Sequence, residues 1–177
     1  DIDLNEVGRE QARSVAAALA ALEPAAVAAS DLSRARETAE LVAAGLGHTV
    51  VLDPRLREKD FGLWEGLTGE EIAAGWAAEY TTWRSGQYPE GIDAETRGAV
   101  GERFARGVED AAAELSSDQT LLVVAHGACI AAGITTLLGL DADTWVGIRG
   151  IGNCHWSVLG SSDREPRWRL EGHNIAG

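Results

Sequence analysis

The chain has 177 residues, 45% of them apolar, and its 15 basic and 28 acidic residues give a net charge of −13. A chain of this length can form one domain with its own hydrophobic core. The negative charge argues against nucleic acid or an anionic membrane as a partner, and no apolar run reaches the roughly 18 residues that a membrane span requires. Because there are only two cysteines and no CxxC spacing, a disulfide framework and a zinc site are both disfavoured. We therefore expect a soluble, cytoplasmic protein.

The first half of the chain predicts helices that alternate with strands. A helix is expected from Asn5, a candidate N-cap, to Pro24, and "AAVAAS" at 25–30 is a short apolar strand. The segment "DLSRARETAELVAAGLG" then predicts a helix with Asp31 as its cap, and "TVVLD" at 49–53 predicts a second strand. This alternation is typical of an α/β domain.

The second half predicts three more helices, one of which follows His126, and three strands. Thr68 and Glu71 form the pattern of a capping box at the start of a short helix, whereas 76–93 is expected to be irregular. Apolar residues recur at helical spacing within 93–115 and predict a buried helical face. The uniformly apolar "TLLVVA" at 120–125 is expected to be a central strand covered on both faces. "NCHWSVLG" and "RWRL" alternate in polarity and predict a terminal antiparallel hairpin.

His126 stands where the third predicted strand ends. In an open parallel sheet, ligands collect beyond the carboxyl ends of the strands. Gly127 and Ala128 open the next predicted helix, and its first N–H groups would face an anion. The alternative is that His126 only caps a carbonyl group, which is the more common role of a single histidine at such a position. His126 alone therefore does not indicate an enzyme.

Arg34 lies at an equivalent junction, just inside the helix predicted after the first strand. Helical spacing places Arg34 and Thr38 on one face and turns Arg36 away from it. An arginine in a first helical turn opposes the helix dipole, so a bound anion explains it better than its position does. The alternative is an ordinary surface arginine.

Glu58 lies in the loop "RLREKDFGLWEG", among apolar side chains. A carboxyl group in such surroundings is a candidate proton donor. The alternative is a solvated loop carboxylate that pairs with Arg55 or Arg57. The remaining histidines have no partner pattern and are expected to be structural or surface residues: His48, His155 and His173.

Taken together, "SDLSRARETAE", "RLREKDFGLWEGLT" and "LLVVAHGACI", in this order, resemble the histidine phosphatase superfamily, the phosphoglycerate mutase-like proteins. The similarity extends from "LNEVGREQA" near the start to "RWRL" near the end. It implies a single αβα sandwich over 1–177, with a mostly parallel central sheet and an antiparallel edge.

The resemblance also implies a chemistry that needs neither a metal nor a cofactor. A histidine takes the phosphoryl group from a small phosphate ester, and water then hydrolyses the phosphohistidine. Matched motif by motif, Arg34 and a protonated His126 would bind the phosphoryl group together with Gly127 and Ala128. Glu58 would act first as the general acid and then as the base.

Two departures from the family pattern affect these expectations. The nucleophile of the family is the histidine of an Arg-His-Gly motif at the end of the first strand, and no "RHG" occurs in this sequence. The domain is therefore expected to lack its first strand, either because the chain continues upstream, which we favour, or because it is an inactive relative. Ala128 stands where relatives often have glycine, and it would resist a positive φ.

The activity is expected to be that of a phosphatase. Mutases of the family carry a basic segment after the acid loop, whereas "GWAAEYTTWRSGQYPEGID" has one arginine, Arg84, among three acids. A phosphoglycerate or sugar-phosphoglycerate is the expected substrate, and Trp83 and Tyr88 could stack on a sugar. Two alternatives stay open, a phosphoglycerate mutase and a non-catalytic domain that binds phosphorylated ligands. The sequence also leaves a homodimer open.

Overall fold

The computed structural model describes residues 1–177, which form six α-helices and five β-strands. In chain order they are α1 (Glu6–Ala20), β1 (Pro24–Ala29), α2 (Ser33–Ala43), β2 (Val50–Leu52), α3 (Gly69–Gly75), α4 (Ala77–Arg84), α5 (Arg97–Ala113), β3 (Thr120–Val124), α6 (Gly127–Leu137), β4 (Trp156–Ser161) and β5 (Trp168–Ile175). None of the helices combines the length and apolar character needed to cross a lipid bilayer.

The strands form two separate sheets. β1 lies in the middle of a parallel sheet of order β2-β1-β3, in which Val27 is paired with Val50 on one side and with Leu122 on the other. β4 and β5 form an antiparallel pair. The predicted α/β class with a parallel sheet and an antiparallel edge is thus confirmed. The expectation that "TLLVVA" is a central strand is wrong for the hydrogen-bonded sheet, because β3 pairs only with β1 and has one free edge.

Helices cover the sheets on two faces. On one face, Val15 of α1 forms a cluster with Val42 of α2, and Leu122 and Trp156 pack against this cluster. On the other face, the cluster of α5 and α6 that contains Phe104 packs against Leu121. Successive residues of β3 therefore point to opposite helical layers, as the two-residue period of a strand requires. The result is the three-layer arrangement that the resemblance implies.

Side-chain caps are found at two of the predicted helix starts, those of α1 and α3. Asn5 Oδ1 accepts a hydrogen bond of 2.9 Å from the Gly8 N–H at the start of α1. Thr68 and Glu71 form a reciprocal capping box at the start of α3, because each side chain accepts from the other's backbone N–H. These caps satisfy donors that the first helical turn leaves without partners.

The prediction that Asp31 caps α2 is wrong. Leu32 holds the N-cap position and makes no side-chain cap, whereas the Asp31 carboxylate accepts two hydrogen bonds, of 2.7 and 2.6 Å, from Arg57. A bidentate arginine binds a carboxylate more strongly than a backbone N–H does. Asp31 therefore ties the loop after β2 to the start of α2.

The prediction that 76–93 is irregular is also wrong in part, because 77–84 form α4. Packing of aromatic rings holds this helix in place. The rings of Tyr80 and Trp83 stack at a centroid distance of 5.7 Å, and Trp83 meets the edge of Trp64 at 6.1 Å. Contacts of this kind override a weak periodic pattern.

A cavity of about 1210 Å³ separates β3 from β4. α1 contributes Val15 and Leu19 to its lining, and α5 contributes Phe104 and Val108 from the opposite face. Four residues of β3 that border it, 121–124, are half-buried rather than buried, although helices lie over both faces of the strand. The free edges of β3 and β4 thus face each other across this cavity.

Gly62 holds a strained turn in the loop that carries Glu58. Its φ is +56°, and a Cβ there would collide with the backbone carbonyl groups of Ile92 and Asp93. We expect Gly62→Ala to lower the free energy of unfolding by at least about 2 kcal/mol in urea denaturation. Gly66→Ala is the matched control, because φ is +79° but no heavy atom lies within 4 Å of the added Cβ. Equal losses of unfolding free energy in the two variants would show that the collision with the backbone of 92–93 is not what destabilises Gly62→Ala.

Candidate active site

Three segments that are distant in the sequence meet at one end of the cavity, beyond the carboxyl ends of the parallel strands. Arg34 in the first turn of α2, Glu58 in the loop after β2, and His126 after β3 all contribute to its lining, as does Gly127. Ala128 lies in α6, is exposed and is absent from the lining. The cluster places a cation, a carboxylate and an imidazole at the sheet edge where ligands collect in parallel folds. No group of three or more His, Cys, Asp or Glu side chains in the chain is arranged to hold a metal ion.

His126 is buried, with 8% of its surface exposed. Its Nε2 lies 2.9 Å from Ser30 Oγ, and Ser30 is fixed at the end of β1 because its N–H donates to the Val124 carbonyl. Burial, and then the positive charges of Arg34 and Arg103, lower the pKa of His126 to about 4. His126 is therefore neutral at pH 7 in the free protein, which differs from the expected protonated form.

Glu58 reaches across to the first turn of α6. Its Oε1 accepts hydrogen bonds from the N–H groups of Cys129 and Lys59, at 2.9 and 2.8 Å, and its Oε2 accepts from Ala128 N–H at 3.2 Å. The start of α6 thus faces an anion, as predicted, but that anion is the protein's own carboxylate. The backbone of Ala128 is helical and does not have a positive φ, so alanine fits there without strain.

The alternative that Glu58 pairs with a neighbouring arginine of its loop is wrong. Arg55 donates to Asp53 at distances down to 2.7 Å, and Arg57 binds Asp31. Both arginines are engaged by other carboxylates, so the Glu58 carboxylate is held by backbone N–H groups alone.

Arg34 lies on the cavity wall together with Thr38, whereas Arg36 is exposed and pairs with Glu40 at 3.9 Å. The predicted helical face is therefore confirmed. The one carboxylate near Arg34 is that of Asp1, at a long 3.6 Å and partly in solvent. Such a pair is weak, and it leaves the guanidinium able to bind an incoming anion.

Two residues of the site were missed from the sequence, Arg103 and Glu95. Arg103 donates to three backbone carbonyl groups of 55–58 and to the Glu95 carboxylate, all within 2.9 Å. Arg103 lies at the margin of the apolar face of α5, three residues after Val100. A charged residue beside a buried stripe is the signal that could have indicated it.

The remaining residues singled out from the sequence are His155, expected to be structural or at the surface, and Trp83 and Tyr88, the candidates for stacking on a sugar. His155 lines the cavity, and its Nδ1 lies 2.8 Å from Asn174 Oδ1. Trp83 belongs to the aromatic cluster of α4, whereas the Tyr88 hydroxyl donates to the Ala94 carbonyl and its ring lies by Lys59. Trp83 and Tyr88 are therefore not paired, and neither ring lines the cavity.

Comparisons with known proteins extend over nearly the whole chain. Residues 1–175 match the family model described as Histidine phosphatase superfamily (branch 1). The chain is 35% identical over 191 residues to glucosyl-3-phosphoglycerate phosphatase of Mycolicibacterium vanbaalenii, covering 99% of this chain and 85% of that protein. It is 37% identical over 146 residues to a probable phosphoglycerate mutase of Cronobacter sakazakii, covering 80% of this chain and 66% of that protein. The solved structure of a mycobacterial glucosyl-3-phosphoglycerate phosphatase matches with a TM-score of 0.85 and 32% identity, covering 99% of this chain and 89% of that one.

Proposed function

The chain belongs to the histidine phosphatase superfamily, and we propose that it hydrolyses a phosphate monoester at the site formed by Arg34, Glu58 and His126. The observation that carries this proposal is the meeting of these three groups at one end of the cavity. Phosphoryl transfer needs alignment and positive charge around the phosphoryl oxygens more than it needs covalent help from the protein. Arg34 supplies that charge, since its guanidinium can bind two phosphoryl oxygens at once.

The remaining two groups have complementary tasks. Glu58 gives a proton to the leaving oxygen as the ester P–O bond breaks, and later takes a proton from the attacking water. His126 donates a hydrogen bond to the transferring group. A dianionic phosphoryl group beside Arg34 offsets the repulsion between that guanidinium and an imidazolium, so substrate binding favours protonation of His126.

We place the phosphoryl acceptor, a histidine, at the end of a β-strand that fills the cavity between β3 and β4. Three properties of the cavity support this placement. Both flanking strands have a free edge there, both helical layers contribute apolar side chains, and one end opens at Arg34 and His126. A strand parallel to β3 would end beside the transferring group, because β3 itself ends at His126.

The proposed substrate is a small metabolite that carries a phosphoglycerate group. The likeness to glucosyl-3-phosphoglycerate phosphatase over 99% of the chain supports it. The match to a solved phosphatase structure over 99% of the chain, with a TM-score of 0.85, likewise favours a phosphatase over a mutase. The single Arg84 in 75–93 offers little charge for a second phosphoryl group.

The proposal is tested with the protein expressed from its complete gene. We expect hydrolysis of p-nitrophenyl phosphate in EDTA, and an acid-labile phosphohistidine on rapid quenching. Isotopically labelled phosphoglycerate should release free phosphate; return of the label to the organic product would instead indicate a mutase. Binding of phosphate without any turnover would favour the non-catalytic alternative and overturn the proposal.

A further inference from the structure

Arg103 occupies the junction between α5 and the loop that carries Glu58. Its Nη1 donates to the carbonyl oxygens of Arg55 and Arg57, each at 2.7 Å, and its Nη2 donates to the carbonyl oxygen of Glu58 at 2.9 Å. Loop carbonyl groups that are withdrawn from water need partners. One guanidinium thus satisfies three of them within four consecutive residues.

Glu95 completes this contact from the other side of the loop. Its carboxylate accepts from Arg103 Nε and Nη2, both at 2.8 Å, and its Oε2 also accepts from the Asp60 N–H at 2.9 Å. The backbone N–H of Glu95 donates to the Asp60 carbonyl at 2.9 Å. Arg103 therefore binds carbonyl groups of residues 55–58, and Glu95 binds Asp60, two residues after Glu58. The pair is partly buried, and each charge neutralises the other.

As a result, Glu58 is held at its backbone and at its carboxylate. Its backbone carbonyl is held by Arg103 on α5, and its carboxylate is held by the N–H groups of Ala128 and Cys129 on α6. α5 and α6 pack against each other through the cluster that contains Phe104. The position of the carboxylate relative to the cavity therefore depends on both contacts, and Arg103 holds the backbone from which the side chain extends.

We infer that Arg103 is a positioning residue that aligns Glu58 for proton transfer to the leaving group. The inference rests on the proposed function. Only the guanidinium offers five N–H donors in a planar fork, so a lysine cannot reproduce these contacts. Proton transfer requires the donor within hydrogen-bond reach of the leaving oxygen, and a loosened loop loses that geometry.

The test compares two phosphate esters whose leaving groups differ in how much they need protonation as the P–O bond breaks. For an alkyl ester such as phosphoglycerate, we expect Arg103→Lys to lower kcat/KM at least about tenfold; this ratio reports phosphoryl transfer to the acceptor and not the later attack by water. For p-nitrophenyl phosphate, whose leaving group departs as a phenolate, the loss should stay below about threefold. A purely structural role would lower both rates alike. Arg106→Lys, on the exposed side of the same helix, is the control and should change neither rate.

A double-mutant cycle tests whether Arg103 acts through Glu58. In a Glu58→Gln background, Arg103→Lys should cause no further loss with the alkyl ester, because the aligned proton donor is already absent. Glu95→Gln weakens the same contact while Arg103 is retained, and it should show the same dependence on the leaving group even if Arg103→Lys fails to fold. Equal losses with both esters, or additive losses in the cycle, would overturn the inference while the proposed function stands. Absence of hydrolysis by the wild-type protein would overturn both.

Discussion

Replacing Glu58 by glutamine is expected to lower the turnover of an alkyl phosphate by about a hundredfold, the usual contribution of general acid catalysis. The glutamine side chain has nearly the same shape, and its oxygen can still accept from the Cys129 and Lys59 N–H groups, whereas the contact with the Ala128 N–H is lost. It has no proton to give to the leaving oxygen. Steady-state kinetics with phosphoglycerate measure the loss.

Binding of phosphate should be nearly unaffected by this change. Arg34 and His126 remain, so the dissociation constant of inorganic phosphate, measured by calorimetry, should stay within about threefold of the wild-type value. Glu65→Gln is the matched control: it lies in the same loop and accepts only from the Phe61 N–H. Unchanged turnover in Glu58→Gln would reduce Glu58 to a structural cap of α6.

Acidification from pH 7 to pH 4 is expected to cost the folded protein about 3 kcal/mol through His126 alone. The pKa of this side chain is about 4 in the folded protein and 6.5 in the unfolded chain, because burial and the charge of Arg34 disfavour the imidazolium. Between these two values the unfolded chain binds a proton that the folded protein does not bind. The stability is therefore fully present above pH 6.5 and is lost as the pH falls towards 4.

Urea denaturation at pH 7, 5.5 and 4 measures this effect. His126→Gln contains no titrating group at the site, so its free energy of unfolding should fall by about 3 kcal/mol less than that of the wild type over the same range. His48→Gln changes an exposed histidine and should keep the wild-type dependence. If the free energy of unfolding fell equally with pH in the wild type and in His126→Gln, the burial of a neutral His126 would not be the cause of the acid destabilisation.

The layout of the site could be predicted because it depends on a simple property of parallel sheets. His126 lies two residues after β3, and Arg34 lies in the first turn of the helix that follows β1. Strands that run the same way end at the same edge of the sheet. The separation of Arg34 and His126 by 92 positions in the chain therefore did not matter. The order of the three motifs predicted the histidine phosphatase superfamily, and the family match over 1–175 confirms it.

What could not be predicted depends on partners that are remote in the sequence. Asp is a residue type that often caps helices, but Arg57, 26 residues later in the chain, binds the Asp31 carboxylate more strongly than a backbone N–H of α2 would. Arg103 gives no signal of its own, because its role follows from a loop 45 to 48 residues away. The same holds for α4, where the ring of Trp83 stacks in a cluster that only the tertiary structure assembles.

The free edges of β3 and β4 also bear on the behaviour of the protein in solution. Each presents unpaired N–H and C=O groups beside apolar side chains, and a strand of another molecule can pair with such an edge. The strand that we propose to carry the acceptor histidine would thus also act as a safeguard against aggregation, and losing it would remove activity and colloidal stability together.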